Sequence, residues 1–381
     1  MRVLTLTSLF PSERNPFLGL AVYRRLKALA RLCELRVVAP RRCDGVPEHE
    51  VVDGIEVFRP RWWRVPKVGV LVDGYVLAEV ASRAIHRACP ELDFDVIDAH
   101  WVYPDGFAAT RVAQRLGKPL TLTARGTDVE DFCFRWPVRR FARRALRGAD
   151  RLIAVSRALK SRMVEAGADP DRIAVVANGV DTAVYHRGDR AVARGTLGVP
   201  ADAVVLFSVG ALIPTKGYRY LIEGLALLPS EPALPLYVAG QGPQEQALRR
   251  LSEEKLGPGR VVFLGARPEH ELVLWYHAAD LFCFGSLREG CPNVILESLA
   301  CGTPVVSTNV GGIPDLVDDE TGVLFEAGSA KAFAEALKEA LARTWDRDAV
   351  AARGGQRTWD QVAREVHAVL EGLLGESGVG A

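Results

Sequence analysis

Short apolar runs rich in β-branched residues alternate with amphipathic helical patterns along the whole chain. In the first half these runs cover residues 3–9, 35–40, 55–59, 96–100, 120–125, 152–156 and 173–178. In the second half they cover residues 204–210, 236–240, 261–265, 281–286, 304–308 and 322–325. They are apolar throughout, which predicts strands buried on both faces of parallel sheets. Helical patterns between them predict βαβ units. From Leu18 to Leu32, Val22, Leu26, Leu29 and Leu32 form an apolar stripe, with Arg24, Arg25, Lys27 and Arg31 at polar positions.

At 381 residues the chain is long for one domain and comfortable for two. The break falls in a polar, turn-rich stretch between Asn178 and Val204. The expected division is residues 1–180, residues 181–355 and a closing helical segment in 356–381; the tail 349–374 reads as helix. Two doubly wound halves imply a cleft faced by strand C-termini. Hydrophobic residues make up 49% and charged residues 25%, which excludes a disordered chain, and a net charge of +1 gives no global case for nucleic acid. The cysteines are Cys33, Cys43, Cys89, Cys133, Cys283, Cys291 and Cys301; they are odd in number and lack a C-x-x-C pair, which suits a reducing cytosol. Zinc-ligand spacing is absent, so no metal site is expected. The N-terminus reads as a first strand rather than a leader. No apolar run reaches the roughly 18 residues of a membrane span; the nearest approach, Val68 to Val80, is broken by Asp73 and Glu79.

The most informative local stretch is R-E-G-C-P-N-V-I-L-E-S-L-A, in which Glu289 and Glu297 stand eight residues apart. A strand leads into a turn of Glu289, Gly290, Cys291 and Pro292, and a helix begins near Asn293 with Pro292 suited to its first position. A helix opening offers unpaired N–H groups and the positive dipole end, a seat for phosphate or sugar oxygens. Carboxylates on either side could grip two hydroxyl-bearing parts of one ligand. The stretch resembles the E-x7-E signature of the retaining nucleotide-sugar glycosyltransferases of family 4, as do the following P-V-V-S-T-N-V-G-G-I-P-D-L-V and D-E-T-G-V-L-F. The resemblance implies the α/β GT-B fold: two Rossmann-like doubly wound domains with an inter-domain cleft, an N-terminal acceptor half and a C-terminal donor half. It also implies a last helix that returns to the first domain.

By the same resemblance, V-G-A-L-I-P-T-K-G is the phosphate-holding loop and Lys216 its lysine, with Gly210 beside it. The family's usual arginine is here Ala211, so one cation is missing; Arg125, Arg288 or backbone amides near Gly19 could replace it. V-A-G-Q-G-P lacks the third glycine of a dinucleotide loop and fits the family's cleft-lining turn. Ala266 and Arg267, after the strand at 261–265, are candidates to hold the nucleobase through backbone groups. In the first half, V-I-D-A-H-W-V-Y-P-D-G-F places His100 at a strand end with Trp101 and Tyr103 as aromatic platforms for a sugar. L-T-A-R-G-T-D resembles the family's T-x-H-G-x-D, with Arg125 where the family has histidine and Asp128 closing the motif. An arginine cannot act as a general base; Arg125 is expected to bring charge to a phosphate or to bind an acidic acceptor. Gly19 resembles the glycine that admits the diphosphate.

The expected catalytic residues are therefore Lys216, Glu289, His100 and Arg125. Donor contacts fall to Gly19, Gly210, Ala266, Arg267, Gly290, Cys291, Pro292, Asn293 and Glu297, and acceptor contacts to His100, Trp101, Tyr103 and Asp128. The resemblance implies retention, no metal or other cofactor, and a nucleotide-diphosphate sugar as co-substrate. The implied role is transfer of a sugar to a hydroxyl acceptor in cell-surface glycan or glycolipid assembly. A nucleotide-sugar epimerase and a non-catalytic sugar-nucleotide binding protein remain as alternatives, and the missing glycine disfavours a dehydrogenase. Two basic, aromatic segments, Arg59 to Lys67 and Arg135 to Arg151, suit an anionic membrane surface, with a solvated arginine-rich helix as the plainer alternative. The expected place is the cytoplasm, at the inner face of the membrane if the acceptor is lipid-linked.

Overall fold

The computed structural model describes residues 1–41, 45–63, 69–229 and 233–378. The chain forms two compact α/β units, one of Met1–Gly179 with the segment from Trp359 onward, the other of Val180–Thr358. In the first unit the strands are β1 (Arg2–Leu6), β2 (Glu34–Val38), β3 (His49–Val52), β4 (Ile55–Phe58), β5 (Val96–His100), β6 (Leu120–Ala124), β7 (Arg151–Ala154) and β8 (Ile173–Val175). Their order in the sheet is β3-β4-β2-β1-β5-β6-β7-β8. All neighbours are parallel except β3 against β4.

Strand β3 is absent from the hydrophobic reading because it lies at the sheet edge and is largely exposed. Its turn has a local cue that was passed over in the sequence. Val52 pairs with Ile55 across Asp53 and Gly54, whose φ values of 48° and 82° suit the Asp-Gly hairpin turn.

The helix Leu20–Leu29 packs Val22, Leu26 and Leu29 against sheet residues Val3, Val37 and Val96. Each such buried side chain contributes about 1.5–3 kcal/mol. Arg25, expected at a polar position, is instead buried at 2% exposure on the same stripe. The tail is two helices rather than one: Arg347–Gly354 belongs to the second unit, and Trp359–Gly378 to the first. The first of them ends at Gly354 with Gly355 as its C-cap, and the bare Gly354 packs closely: a Cβ there would lie 2.3 Å from the Ala300 amide nitrogen. Val362, Ala363, Val366 and Leu370 of the last helix join the core around Leu26 and Leu29.

The second unit holds β9 (Leu206–Val209), β10 (Leu236–Ala239), β11 (Val261–Gly265), β12 (Leu281–Phe284), β13 (Val305–Thr308) and β14 (Gly322–Phe325). They run parallel in the order β11-β10-β9-β12-β13-β14. Leu206, Val238, Leu281 and Val306 form its core with Leu221 and Ile222 of the helix Tyr218–Leu225 and Phe333 and Leu337 of the helix Ala330–Ala342. Strand order reverses between β1 and β5 in the first sheet and between β9 and β12 in the second. Loops that leave such switch points diverge and open a crevice at the strand C-termini.

Candidate active site

Lys216 follows β9 and Glu289 follows β12, so both stand at the switch point of the second sheet. The Lys216 Nζ lies 2.5 Å from Glu289 Oε1. A short 3₁₀ turn, Pro214–Lys216, ends at Gly217, whose φ is 64°. A Cβ on Gly217 would lie 1.9 Å from the Gly285 carbonyl oxygen. This bare backbone lets the Lys216 loop settle on the end of β12. The Leu287 amide donates to the Thr215 carbonyl (2.8 Å), and the Ser286 hydroxyl donates to the same oxygen (3.1 Å). Lys216 also sits 5.4 Å from the Phe284 ring centroid. Glu289 is set from the other side by Gly311, at φ 56°, where a Cβ would fall 1.8 Å from the Glu289 carbonyl oxygen.

The helix after Glu289 spans Asn293–Ala300. Pro292 is its N-cap, with extended backbone, and not its first helical residue; Asn293 takes that place. Gly290 and Cys291 are buried beside it. Glu297 lies a further turn down, 6% exposed, accepting a hydrogen bond from the buried Tyr276 hydroxyl at 3.2 Å. It is not a solvated surface glutamate. Gly210 follows β9 with its carbonyl oxygen 1.9 Å from where a Cβ of Gly240 would stand. Ala266 is exposed after β11, and Arg267 pairs with Glu271 at 3.4 Å.

The first unit holds its charges differently. Arg25 donates to both Asp98 oxygens (2.9 and 2.7 Å) and to the Thr123 hydroxyl (2.8 Å). Asp98 Oδ2 meets His100 Nε2 at 3.1 Å. His100 Nδ1 meets Arg125 Nη2 at 2.9 Å, and Arg125 Nη1 donates to Asn178 Oδ1 at 3.0 Å. Arginine has no acceptor, so His100 Nδ1 must accept and Nε2 must carry the proton donated to Asp98. Burial, with the Arg25 and Arg125 charges, pushes the His100 pKa down to about 3 against the pull of Asp98. Burial alone would raise Asp98, but Arg25 and His100 outweigh it and hold it well below the usual carboxylate range.

His100 is fully buried with both ring nitrogens engaged, so in this arrangement it meets Arg125 rather than a sugar. Asp128 is also fully buried. It accepts from the backbone amides of Val102 (2.9 Å), Arg125 (3.0 Å) and Gly126 (2.8 Å), and so fixes the Arg125 turn instead of facing an acceptor. Burial raises its pKa despite those bonds. Gly19, at φ 67°, spends its missing Cβ internally: the atom would lie 2.3 Å from the Leu9 carbonyl oxygen. Sequence reasoning assigned no part to Arg25 or to the Asn178 side chain. A lone arginine inside an apolar helical stripe and an aspartate inside an apolar strand were the available signals.

Trp101 and Tyr103 do line a cavity. It measures about 510 Å³, at the ends of β1, β2 and β5, with Ser8, Asn15, Arg41 and Phe132 among the other walls. Trp101 takes a φ of 76°, rare for a bulky residue. Tyr103 is anchored by its hydroxyl to the Val70 carbonyl at 2.5 Å. Ser8 is held by its amide and hydroxyl to Asp105.

Of the two basic segments, residues 64–67 lie outside the described residues. Arg59 and Trp62 are buried, Arg59 pairing with Glu50 at 2.5 Å, and so belong to the interior; Trp63 is exposed. In the other segment, the helix Arg139–Gly148 buries Phe141, Ala142, Ala145 and Leu146. Arg139, Arg140, Arg143, Arg144 and Arg147 line one surface groove, and Trp136 is 81% exposed. Among the described residues none of these five arginines pairs with a carboxylate, although Arg143 and Arg147 donate to the Cys133 and Gly167 carbonyls. No described helix is long and apolar enough to cross a membrane.

Two parallel-sheet Rossmann-like units, each with functional groups at its switch point, define the architecture of GT-B glycosyltransferases. Sucrose-phosphate synthase from Thermosynechococcus elongatus has the same fold, with a TM-score of 0.83 at 20% identity over 99% of this chain and 100% of that one. So does Anabaena HepE in complex with UDP-glucose, with a TM-score of 0.79 at 22% identity over 98% of this chain and 100% of that one. Residues 19–184 match the family model of Glycosyltransferase Family 4, and residues 189–357 that of Glycosyl transferases group 1. The chain belongs to this glycosyltransferase family. It is 29% identical over 356 residues to TuaC of Bacillus subtilis, a glycosyltransferase assigned to teichuronic acid biosynthesis, covering 88% of both chains. It is 34% identical over 269 residues to the D-inositol 3-phosphate glycosyltransferase of Acidothermus cellulolyticus, covering 65% of this chain and 60% of that one.

Proposed function

We propose that the enzyme moves a sugar, with retention, from a nucleotide-diphosphate donor to a hydroxyl acceptor in cell-surface glycan assembly. The observation that carries this is the meeting of Lys216 and Glu289 at the second sheet's switch point. The Lys216 ammonium is a mobile point charge suited to a leaving diphosphate. Glu289, Gly290, Cys291, Pro292 and Asn293 would hold the sugar and diphosphate at the helix opening, Glu297 the ribose side, and Ala266, Arg267 and Gly210 the nucleoside end. HepE in complex with UDP-glucose supports the donor class, and the names of both relatives support glycosyl transfer. No metal or other cofactor is proposed, because Lys216 supplies the cation. In the first unit the cavity beside Trp101 and Tyr103 would receive the acceptor. Epimerisation remains the second reading only if no acceptor dependence is found.

A thermal-shift screen across UDP, GDP, ADP and their sugars tests the donor. One nucleotide should raise the melting temperature, and the Lys216→Ala protein should lose that response. A flat response to all of them would refute the reading. Nuclear magnetic resonance of the product then reads the anomeric configuration; an inverted product would exclude retention.

The arginine groove of the helix Arg139–Gly148, with exposed Trp136, is proposed to rest on an anionic bilayer carrying a lipid-linked acceptor at the cytoplasmic face. Flotation with phosphatidylglycerol vesicles should carry the protein at low salt, and Arg140→Glu with Arg144→Glu should abolish it. Equal flotation with neutral vesicles would remove the electrostatic case.

A further inference from the structure

We propose that a second pocket, at the far end of the second unit's sheet from Lys216, binds a small phosphorylated molecule, with Arg190 and Arg343 on its phosphate, Arg347 adding charge and Trp345 against its ring. Nothing in it depends on glycosyl transfer. The pocket measures about 350 Å³, and those four residues share its wall with Asp280. Small-ligand sites run from about 300 to 1,000 Å³, so the space suits a small ligand. Val204, Leu281 and Pro304 also line it, at or just before the starts of β9, β12 and β13. Lys216 and Glu289 follow the opposite ends of β9 and β12. A strand of four residues spans about 13 Å. One small ligand therefore cannot occupy both places.

Among the described residues the wall carries three arginines and one carboxylate. That carboxylate is shared: Asp280 accepts from Arg190, from Arg194 at 2.8 Å and from the Val205 amide at 2.7 Å. Arg343 pairs with Glu339 and donates to the Asp319 carbonyl at 3.1 Å. Among the described residues Arg347 pairs with no carboxylate; it donates to the Ala279 carbonyl (2.8 Å), the Thr303 hydroxyl (2.7 Å) and the His277 carbonyl (3.4 Å). Arg194 donates to the Ala278 carbonyl at 3.0 Å. These carbonyls close the helix Glu269–Ala278, whose dipole brings about half a negative charge to that end. Arg190, Arg194 and Arg347 together still exceed Asp280 and the helix end by more than one positive charge. The crowding shows at Arg347, whose pKa is pushed down to about 10 by burial and by the Arg190 and Arg187 charges. A phosphate would supply the missing counter-charge through the charge-assisted bonds that a guanidinium fork makes well. Arg190 and Arg343 are partly exposed and can reach it. Trp345 is fixed by its Nε1, which donates to the Ala340 carbonyl at 2.9 Å, and the Arg343 guanidinium lies 5.5 Å from its ring centroid. A cation beside a ring suits a phosphate joined to a sugar or a base.

Calorimetric titration of the full-length Lys216→Ala protein tests the site apart from the lysine loop, with inorganic phosphate, glucose 6-phosphate and AMP as probes. Glucose 6-phosphate or AMP should bind at low salt. Adding Arg190→Gln and Arg343→Gln should weaken that binding by about a hundredfold, about tenfold for each charge-assisted contact removed. Asp280 keeps Arg194 and the Val205 amide in that variant, so the fold should survive, which the unfolding midpoint checks. If it does not, Arg343→Gln alone, at the partly exposed end of the helix Ala330–Ala342, should still weaken binding by about tenfold. Tighter binding of glucose 6-phosphate assigns a sugar phosphate to the pocket, and tighter binding of AMP a nucleotide. Equal binding of bare phosphate would overturn the part given to Trp345. Absence of binding by all three probes, or binding unchanged in the folded arginine variants, would overturn the site.

Discussion

The second unit meets its switch point with one lysine and one glutamate on loops, both reachable from solvent and joined directly. The first unit meets its own with a file of groups that runs from buried Arg25 through the Asp98 carboxylate and the neutral His100 ring to half-buried Arg125. In the second unit the charges themselves are presented, and glycines 217 and 311 shape the backbone around them. In the first, most of the charge is committed to holding one residue. A buried ion pair is costly to break because removal of one partner strands the other without water. A pair that still reaches water is cheaper to break, because the partner left behind can be hydrated. The first unit's array should therefore respond to mutation in stability, and the second unit's pair in turnover.

The sharpest break of that comparison is Asp98→Ala. It strands Arg25 in the interior and should cost about 3–5 kcal/mol in chemical unfolding; a loss below about 1 kcal/mol would remove the distinction. Lys216→Ala should do the converse, lowering turnover by about 10²–10³-fold. Its unfolding midpoint should stay close to wild type, which the same denaturation assay checks.

Acid sharpens the contrast further. His100 holds its pKa near 3 in the fold against about 6.5 unfolded, so the unfolded chain binds more protons between those values. Stability is complete above about pH 6.5 and falls as pH drops towards 3, by about 1.4 kcal/mol per pH unit. Asp98, also depressed, adds to the loss below its unfolded value, whereas raised Asp128 works in the opposite direction. Unfolding across a pH series should show this slope, and His100→Gln should flatten it.

The smallest effects separate loop shape from loop strain. Gly311→Ala drives a Cβ against the Glu289 carbonyl and should cost about 1–3 kcal/mol together with activity. Gly117→Ala, at φ 61° with open space around it, should cost only the left-handed backbone, about 1–2 kcal/mol, and no activity. Equal activity in the two variants would mean that the approach to Glu289 does not position it.

Much of this was readable along the chain. Uninterrupted apolar runs marked the buried strands because a parallel sheet covered on both faces needs no polar alternation. The E-x7-E stretch and the lysine loop kept their order because each is a local strand-turn-helix unit. The edge strand β3 escaped because exposed edges carry mixed residues, and its Asp-Gly turn was the only cue. The tail was read as one helix although Gly354 and Gly355, both weak helix formers, stand where it breaks. His100 and Asp128 looked like ligand contacts by type and place, and proved to be spoken for inside the protein.

The amino-acid order by itself determined the two α/β units, the family, and the loop and helix opening that carry Lys216 and Glu289, since hydrophobic period and turn chemistry act over a few neighbouring residues. Only the tertiary structure decided which polar groups are partners. Arg25 comes from a helix, Asp98 and His100 from strand β5, and Arg125 and Asn178 from the segments after β6 and β8, and burial sets the protonation and direction of the groups it encloses. No spacing along the chain encodes which of them loses water and must find its hydrogen bonds in another.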